Sequence, residues 1–253
     1  MKYVIIALLV LPALLMSLLP SQETDAVQQG MFAAPGPDGE AVTSYAVLEL
    51  FTSQGCSSCP SADALLHELD EGNDQVIALS FHVDYWNYLG WEDPFSSKYY
   101  TARQSDYNDA LRSRTYTPQL VVNGRAEMIG SRRAEVNRAV KSALAEGLTV
   151  QPTFTSTIAG RTITVEYRLP TVPAGHRVTA LLVQPEATSA IRRGENKGRD
   201  LHHVNVVRAM EHERATATGM ITLMAPEDLD PVEGEVILLV QDIATQAIVG
   251  VAK

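Results

Sequence analysis

Two kinds of hydrophobic patterning divide the chain near residue 150. The first kind starts with the apolar run YAVLELFT (residues 45–52), and a second apolar run, DQVIALSFHV (residues 74–83), follows it. Between them, apolar residues recur at helical spacing, and Gly72 ends the predicted helix. Because a strand, a helix and a strand follow one another so closely, the pattern predicts a βαβ unit with parallel strands.

A further helix and a hairpin are predicted after this unit. The helical region covers residues 94–114. Two short strands follow and are joined at Asn123-Gly124, a pair typical of two-residue hairpin turns. Ser131 is the predicted N-cap of a last helix, which ends at Gly147.

Strand-type alternation then replaces the helical pattern. Residues 153–169 predict two strands around an Ala159-Gly160 turn, and apolar segments of the same kind continue to residue 252. Several short strands separated by turn signals are typical of a β-sandwich. The predicted fold class is therefore α/β, with one α/β domain over residues 45–149 and a smaller all-β sandwich domain over residues 150–253.

Residues 1–26 have the features of an export signal. Lys2 precedes an apolar run from Tyr3 to Leu19, but no clean A-x-A cleavage site follows. A cleaved signal peptide and an uncleaved N-terminal membrane anchor therefore both stay open. Export predicts a periplasmic or secreted protein in an oxidising compartment, where a disulfide persists. Residues 27–44, rich in Gln, Gly and Pro, are predicted to be a linker.

Composition narrows the classes of function. A hydrophobic content of 45% with 20% charged residues is typical of a globular protein. The net charge of −10 argues against nucleic acid as a partner, since nucleic-acid binding favours a basic surface. We expect no nucleic-acid partner and no cofactor.

The stretch GCSSCP holds Cys56 and Cys59, which are the only cysteines of the chain. A structural disulfide over so short a loop removes little unfolded-chain entropy, about 2 kcal/mol against about 3 kcal/mol for fifteen residues. A redox pair has a better mechanism, because a helix N-terminus stabilises a thiolate. Cys56, nearer the helix start, is then the predicted nucleophile and Cys59 the resolving thiol. Protein thiols or disulfides are the expected partners.

The segment HVDYWNYLGWEDP supplies further candidate groups. His82 or Asp84 is a candidate to exchange the proton as thiols react, although Asp84 also suits a plain loop cap. For Trp86 and Trp91, core-edge packing is favoured over a ligand groove. A metal carrier is the alternative function, with Cys56, Cys59 and His82 binding copper, since two thiolates alone do not complete a site.

The order of these elements resembles the thioredoxin fold. Cys56 and Cys59 follow the first strand, Pro60 lies in the first turn of the helix, and Thr117-Pro118 precedes the hairpin. The motifs FTSQGCSSCP, HVDYWNYLGW and TPQLVVNG are similar to those of a narrower family of exported bacterial proteins, which is catalogued as a domain of unknown function. The resemblance implies a cis-proline loop at Thr117 and Pro118 that faces the cysteines and positions a partner chain.

The sequence departs from thioredoxins at two positions. Gly55 stands where thioredoxins carry tryptophan, and Leu50 stands where they carry a buried acid. Glu49 is adjacent to Leu50, but side chains alternate along a strand, so Glu49 is predicted to face the opposite side of the sheet. An ordinary thioredoxin reductase function is therefore not expected.

In the second half, a basic cluster surrounds the sequence GENKG (residues 194–198), and a polar loop is favoured there over an anion or partner site. His202 and His203 are adjacent on a strand, so they are predicted to face opposite ways. The leading hypothesis is an exported thiol–disulfide exchange protein. A metal carrier and a non-catalytic thioredoxin-like binding module are the alternatives.

Overall fold

The chain is a mixed α/β protein. The computed structural model describes residues 27–29 and 44–253, and in this part of the chain three α-helices accompany twelve strands in two sheets. The helices are α1 Pro60–Gly72, α2 Lys98–Leu111 and α3 Arg133–Glu146. The strands are β1 Val27–Gln29, β2 Ala46–Thr52, β3 Val76–His82, β4 Gln119–Val122, β5 Ala126–Ile129, β6 Thr153–Ala159, β7 Thr162–Arg168, β8 His176–Ala190, β9 Asp200–Arg214, β10 Thr218–Met224, β11 Glu235–Asp242 and β12 Ile248–Ala252.

The predicted βαβ unit and hairpin are confirmed. Strands β2 and β3 pair in parallel, with Thr52 opposite His82 at the end of the register. Strands β4 and β5 pair antiparallel, and the turn between them holds Asn123 and Gly124 at φ 46° and 62°. Positive φ at both positions suits an Asn-Gly pair, so the local sequence accounts for this turn.

The larger sheet crosses the predicted boundary at residue 150. Its strand order is β12-β11-β8-β9-β3-β2-β4-β5, and a bridge between Ser80 and Val206 joins the two halves of the chain. The smaller sheet has the order β1-β6-β7-β10. The strands after residue 150 are thus divided between the two sheets, and four of them (β8, β9, β11 and β12) continue the sheet of the first half.

Three hydrophobic clusters follow from this arrangement. One lies under α1 and α3, a second lies between the two sheets, and a third mixes residues of both halves around α2. Alternation along β2 sends Leu50 into the first cluster, whereas Glu49 faces α2 and pairs with Arg103 at 2.7 Å. The predicted direction of Glu49 is therefore confirmed.

The helix ends agree with the sequence in part. Pro60 begins α1 and Gly147 caps α3 with φ 68°, as predicted. The N-cap prediction for Ser131 is wrong by one residue, because Arg132 holds the cap position without a side-chain hydrogen bond.

The predicted export signal or anchor (residues 1–26) and residues 30–43 of the predicted linker lie outside the described residues. Within that linker, Val27–Gln29 forms strand β1, which pairs antiparallel with β6. In the described part of the chain, none of the helices combines the length and apolar character needed to cross a membrane.

Candidate functional site at the Cys56–Cys59 disulfide

Cys56 and Cys59 form a disulfide at the start of α1. Their Cα atoms are 5.5 Å apart, and Cys59 is the residue before the helix, where its carbonyl oxygen accepts the backbone N–H of Asp63 at 3.1 Å. The two cysteines are only 1% and 0% exposed. The pair therefore has the predicted place on the helix, but the surrounding protein covers it.

A loop from the second half of the chain packs against the disulfide loop. We call residues 191–199, between β8 and β9, the cover loop. The buried side-chain amide of Asn196 donates to the carbonyl oxygens of Gln54 and Cys56, each at 2.9 Å. The Glu195 carboxylate accepts the backbone N–H of Ser57 at 3.0 Å. Its interactions with the side chain and then the backbone of Ser57 lower the pKa of Glu195. The loop favoured above as a plain polar connection thus contacts both sides of Cys56.

Both tryptophans adjoin the disulfide loop. The indole N–H of Trp91 donates to the side chain of Gln54 at 2.9 Å. Trp86 donates to the hydroxyl of Thr117 at 2.8 Å. A Cβ atom at position 55 would lie 3.0 Å from Cβ of Trp86, so Trp86 fills the space beside Gly55. This contact explains why a small residue stands before Cys56.

Thr117 and Pro118 lie at the start of β4, and the peptide bond between them is cis, as the resemblance implies. The next residue, Gln119, pairs with Phe51 near the end of β2. Trp86 joins Thr117 to the disulfide loop through the two contacts just described. The structure therefore brings the Thr117-Pro118 segment to the same end of β2 as the cysteines.

His82 is fully buried at the end of β3. Its Nδ1 lies 2.7 Å from Oδ2 of Asp93, which assigns the ring proton to Nδ1. The same Asp93 oxygen accepts the backbone N–H of Gln54 at 2.8 Å. Burial would raise the pKa of Asp93, but His82 and the N–H donors lower it below its usual value. Nε2 of His82 has no hydrogen-bond partner.

A second buried imidazole, His203 of β9, packs against His82. The two ring centroids are 4.6 Å apart with the planes at 82°. Nδ1 of His203 lies 3.7 Å from Oδ1 of Asp63, and neither ring nitrogen has a hydrogen-bond partner. Burial lowers the pKa of His203, but the carboxylates of Asp63 and Asp93 outweigh burial and raise the pKa above its ordinary value.

Asp84 is placed differently from His82. The hydroxyl of Thr101 donates a hydrogen bond to the Asp84 carboxylate at 2.6 Å. The backbone N–H of Asp84 donates to the same hydroxyl oxygen at 3.3 Å. These contacts tie the loop after β3 to α2. They fit the loop-capping alternative for Asp84.

The metal-carrier alternative has an incomplete ligand set in this geometry. Among the described residues, no group of three or more His, Cys, Asp or Glu side chains is arranged to hold a metal ion. Both thiolates of the proposed set are bonded to each other in the disulfide. A metal could therefore use Cys56 and Cys59 only after the pair is reduced.

Sequence reasoning missed several residues that surround the disulfide. Asn196 and Glu195 come from the cover loop, and no local pattern marks Asp63 and Asp93 as buried acids beside the cysteines. His202 is exposed and His203 is buried, which confirms the prediction that the two face opposite ways. A buried position on a strand was the available signal for His203. It does not show which neighbour the side chain meets.

Solved structures provide fold relatives. A crystal structure of an Agrobacterium tumefaciens protein is 31% identical, and the match covers 85% of this chain and 94% of that protein with a TM-score of 0.61. HBP35 of Porphyromonas gingivalis is 14% identical, with 82% and 74% covered and a TM-score of 0.55, which is a likeness of fold alone. Among curated proteins, none matches. Residues 47–241 match the sequence model of a protein family, DUF1223, which is described as a protein of unknown function. The chain therefore belongs to the DUF1223 family.

Proposed function

We propose that the protein is an exported thiol–disulfide exchange protein whose reactive pair is Cys56 and Cys59. Residues 45–149 are proposed to act as a thioredoxin-like unit, supported by the order β2-α1-β3-α2-β4-β5-α3 and by the disulfide before α1. Export is proposed from the apolar character of residues 3–19.

The position of the disulfide at the start of α1 carries this proposal. The first turn of a helix has free N–H groups and the positive end of the helix dipole, which favour a thiolate. Cys59 directly precedes α1 and Cys56 lies three residues earlier, so the helix end favours a thiolate at the pair as a whole. Cys56 is proposed as the attacked sulfur because it adjoins Ser57 and Ser58, which are exposed. Cys59 is fully buried, which suits a resolving thiol.

Exchange follows from these positions. The thiolate of a partner attacks Sγ of Cys56, a bond forms between the two sulfurs, and the Cys56–Cys59 bond breaks with its electron pair on Cys59. A second thiolate of the partner then attacks the mixed disulfide and releases Cys56. The partner dithiol is oxidised to a disulfide, and the protein pair is reduced. Thr117 and Pro118 are proposed to position the partner chain.

A titration with thiols tests the proposal. The purified full chain is equilibrated with mixtures of reduced and oxidised dithiothreitol. The free thiols are then blocked with an alkylating agent, and the mass of the protein is measured by mass spectrometry. We expect full, reversible conversion between the disulfide and dithiol forms while the protein stays folded by circular dichroism. If the disulfide of the folded protein resists excess dithiothreitol, the exchange function is refuted. The disulfide is then structural, and the non-catalytic binding module is the remaining interpretation.

One observation favours the metal carrier as a second candidate. Asp93 holds Nδ1 of His82, which leaves Nε2 as a buried lone pair without a partner. Metal-binding histidines commonly have their other nitrogen held by a carboxylate in this way. Stoichiometric Cu(I) uptake by the reduced protein, lost in His82→Ala, would support this function. Absence of uptake by the reduced protein would refute it.

A further inference from the structure

Unpartnered polar atoms concentrate beside the disulfide. In the described part of the chain, seven buried side-chain nitrogen or oxygen atoms have no hydrogen-bond partner. Five of them belong to Thr52, Asp63, His82 and His203, with both ring nitrogens of His203 included. Buried polar side-chain atoms normally have hydrogen-bond partners, so the group calls for an explanation other than stability.

Pairwise contacts join these residues into one cluster. Thr52 is opposite His82 in the β2–β3 register, and the His82 and His203 rings are 4.6 Å apart. His203 in turn faces Asp63 at 3.7 Å. Asp63 lies one helical turn after Cys59, so both side chains point from the same face of α1. The cluster therefore extends from the face of α1 that carries Cys59 to β9.

Opening the disulfide creates a charge at this place. The electron pair of the broken bond stays on Sγ of Cys59, and this residue is fully buried in the folded protein. A buried thiolate without a proton or a cation is costly. Cys59 therefore needs a proton donor inside the protein.

We infer that His203 and Asp63 hold the proton that Cys59 takes up when the disulfide opens and releases when it closes. The inference rests on the proposed exchange function. In the reducing direction, the imidazolium of His203 gives up its proton, the Cys59 thiolate becomes a thiol, and His203 becomes neutral. In the oxidising direction, the same proton returns to His203 as Cys59 becomes a thiolate and attacks.

The charges around His203 fit this role. Asp63 faces it from α1 and Asp93 from the loop after β3, whereas His82 is the neighbouring imidazole on β3. The guanidinium of Arg208, also on β9, lies 4.9 Å from the ring of Phe95, which packs 6.3 Å from the His203 ring. Two carboxylates thus lie near the His203 ring and can balance its charge when it holds a proton.

The pH profile of disulfide reduction tests the inference. Reduction rates by dithiothreitol are measured from pH 5 to 9 and corrected for the thiolate fraction of the reagent. In the wild type, the corrected rate should fall as pH rises through the ionisation of His203. His203→Gln should show a flat profile that lies at least tenfold lower at the acidic end, since general acid catalysis contributes about 10²–10⁴-fold.

The matched control is His202→Gln, because His202 is the exposed neighbour on the same strand. This variant should keep the wild-type profile. If His203→Gln also keeps the wild-type profile, the inference is overturned. If His203→Gln does not fold, Asp63→Asn should lower the midpoint of the profile, because a carboxylate that favours the imidazolium is lost. An unchanged midpoint in Asp63→Asn would equally overturn the inference.

A measurement on the wild type avoids variants altogether. The ring nitrogens of His203 are titrated by NMR in the oxidised and reduced protein. Proton sharing with Cys59 predicts different titration midpoints in the two states, whereas a purely structural histidine predicts equal ones. Failure of the exchange function gives another result, since the wild-type disulfide would then not react with dithiothreitol at any pH.

Discussion

Loss of the Asn196 amide should uncover the disulfide. In the folded protein this amide donates two hydrogen bonds of 2.9 Å, to the carbonyl oxygens of Gln54 and Cys56. Asn196→Ala removes both donors and leaves two buried acceptors. At about 1 kcal/mol for each bond, the closed position of the cover loop loses about 2 kcal/mol. Since 1.4 kcal/mol is a factor of ten, the open form should become about 30 times more populated.

The rate of reduction measures this change. Cys56 is 1% exposed, and the cover loop bonds to the backbone on both sides of it. We therefore expect a reductant to attack only after the cover loop opens. When opening is fast compared with attack, the observed rate is proportional to the open population. Reduction by a fixed concentration of dithiothreitol, followed by alkylation and mass spectrometry, should therefore be about 30-fold faster in Asn196→Ala.

Arg192→Ala is the matched control, because Arg192 is an exposed residue of the same loop. Its reduction rate should equal that of the wild type. Thermal unfolding of all three proteins shows whether the fold is retained. A folded Asn196→Ala protein that is reduced within threefold of the wild-type rate would refute the reasoning, since the cover loop would then not limit access.

Three further outcomes are expected. Glu195→Gln should lower the pKa of the Cys56 thiol in the reduced protein, because a carboxylate next to the helix start is removed. The ultraviolet absorbance of the thiolate, recorded against pH, measures this pKa, and an unchanged titration curve would contradict the prediction. The lowered pKa of Asp93 means that its ionised form stabilises the fold above the unfolded pKa of about 3.9, and this contribution is lost as pH falls through the lower folded value. In urea unfolding, Asp93→Asn should therefore be less stable than the wild type at pH 7, with a smaller difference near pH 3; an equal difference at both pH values would contradict this. Glu49→Gln should lower the free energy of unfolding in urea by about 3–5 kcal/mol, because it leaves the guanidinium of Arg103 buried without its carboxylate. A loss below about 1 kcal/mol would show that the stability of the fold does not depend on this pair.

Local features of the fold could be predicted because their causes are local. The parallel pairing of β2 and β3 follows from the short βαβ segment, and the hairpin turn follows from Asn123 and Gly124. The start of α1 at Pro60 follows from the tolerance of proline in a first helical turn. In each case, residues close in the sequence determine the geometry.

The surroundings of the disulfide could not be predicted in this way. Asn196 is 142 residues from Gln54, and the contact arises because β9 joins the sheet beside β3. Strand β9 has the same alternating pattern whichever neighbour it pairs with, so the pattern does not reveal its position. His203 and Asp63 meet for the same reason. A sequence read as two separate domains therefore cannot place the second half against the cysteines.

The cover loop also limits the kind of partner that proposed exchange would admit. A partner that displaces the loop leaves the carbonyl oxygens of Gln54 and Cys56 without the Asn196 amide. Buried carbonyl groups need donors, and an extended peptide chain can supply them through its backbone N–H groups. A small thiol such as glutathione has fewer suitable donors, so it should react more slowly than a peptide thiol of equal pKa. In Asn196→Ala the loop opens more easily for both reagents, so both thiols should react faster by a similar factor and the preference for the peptide thiol should persist; loss of the preference would refute this reasoning.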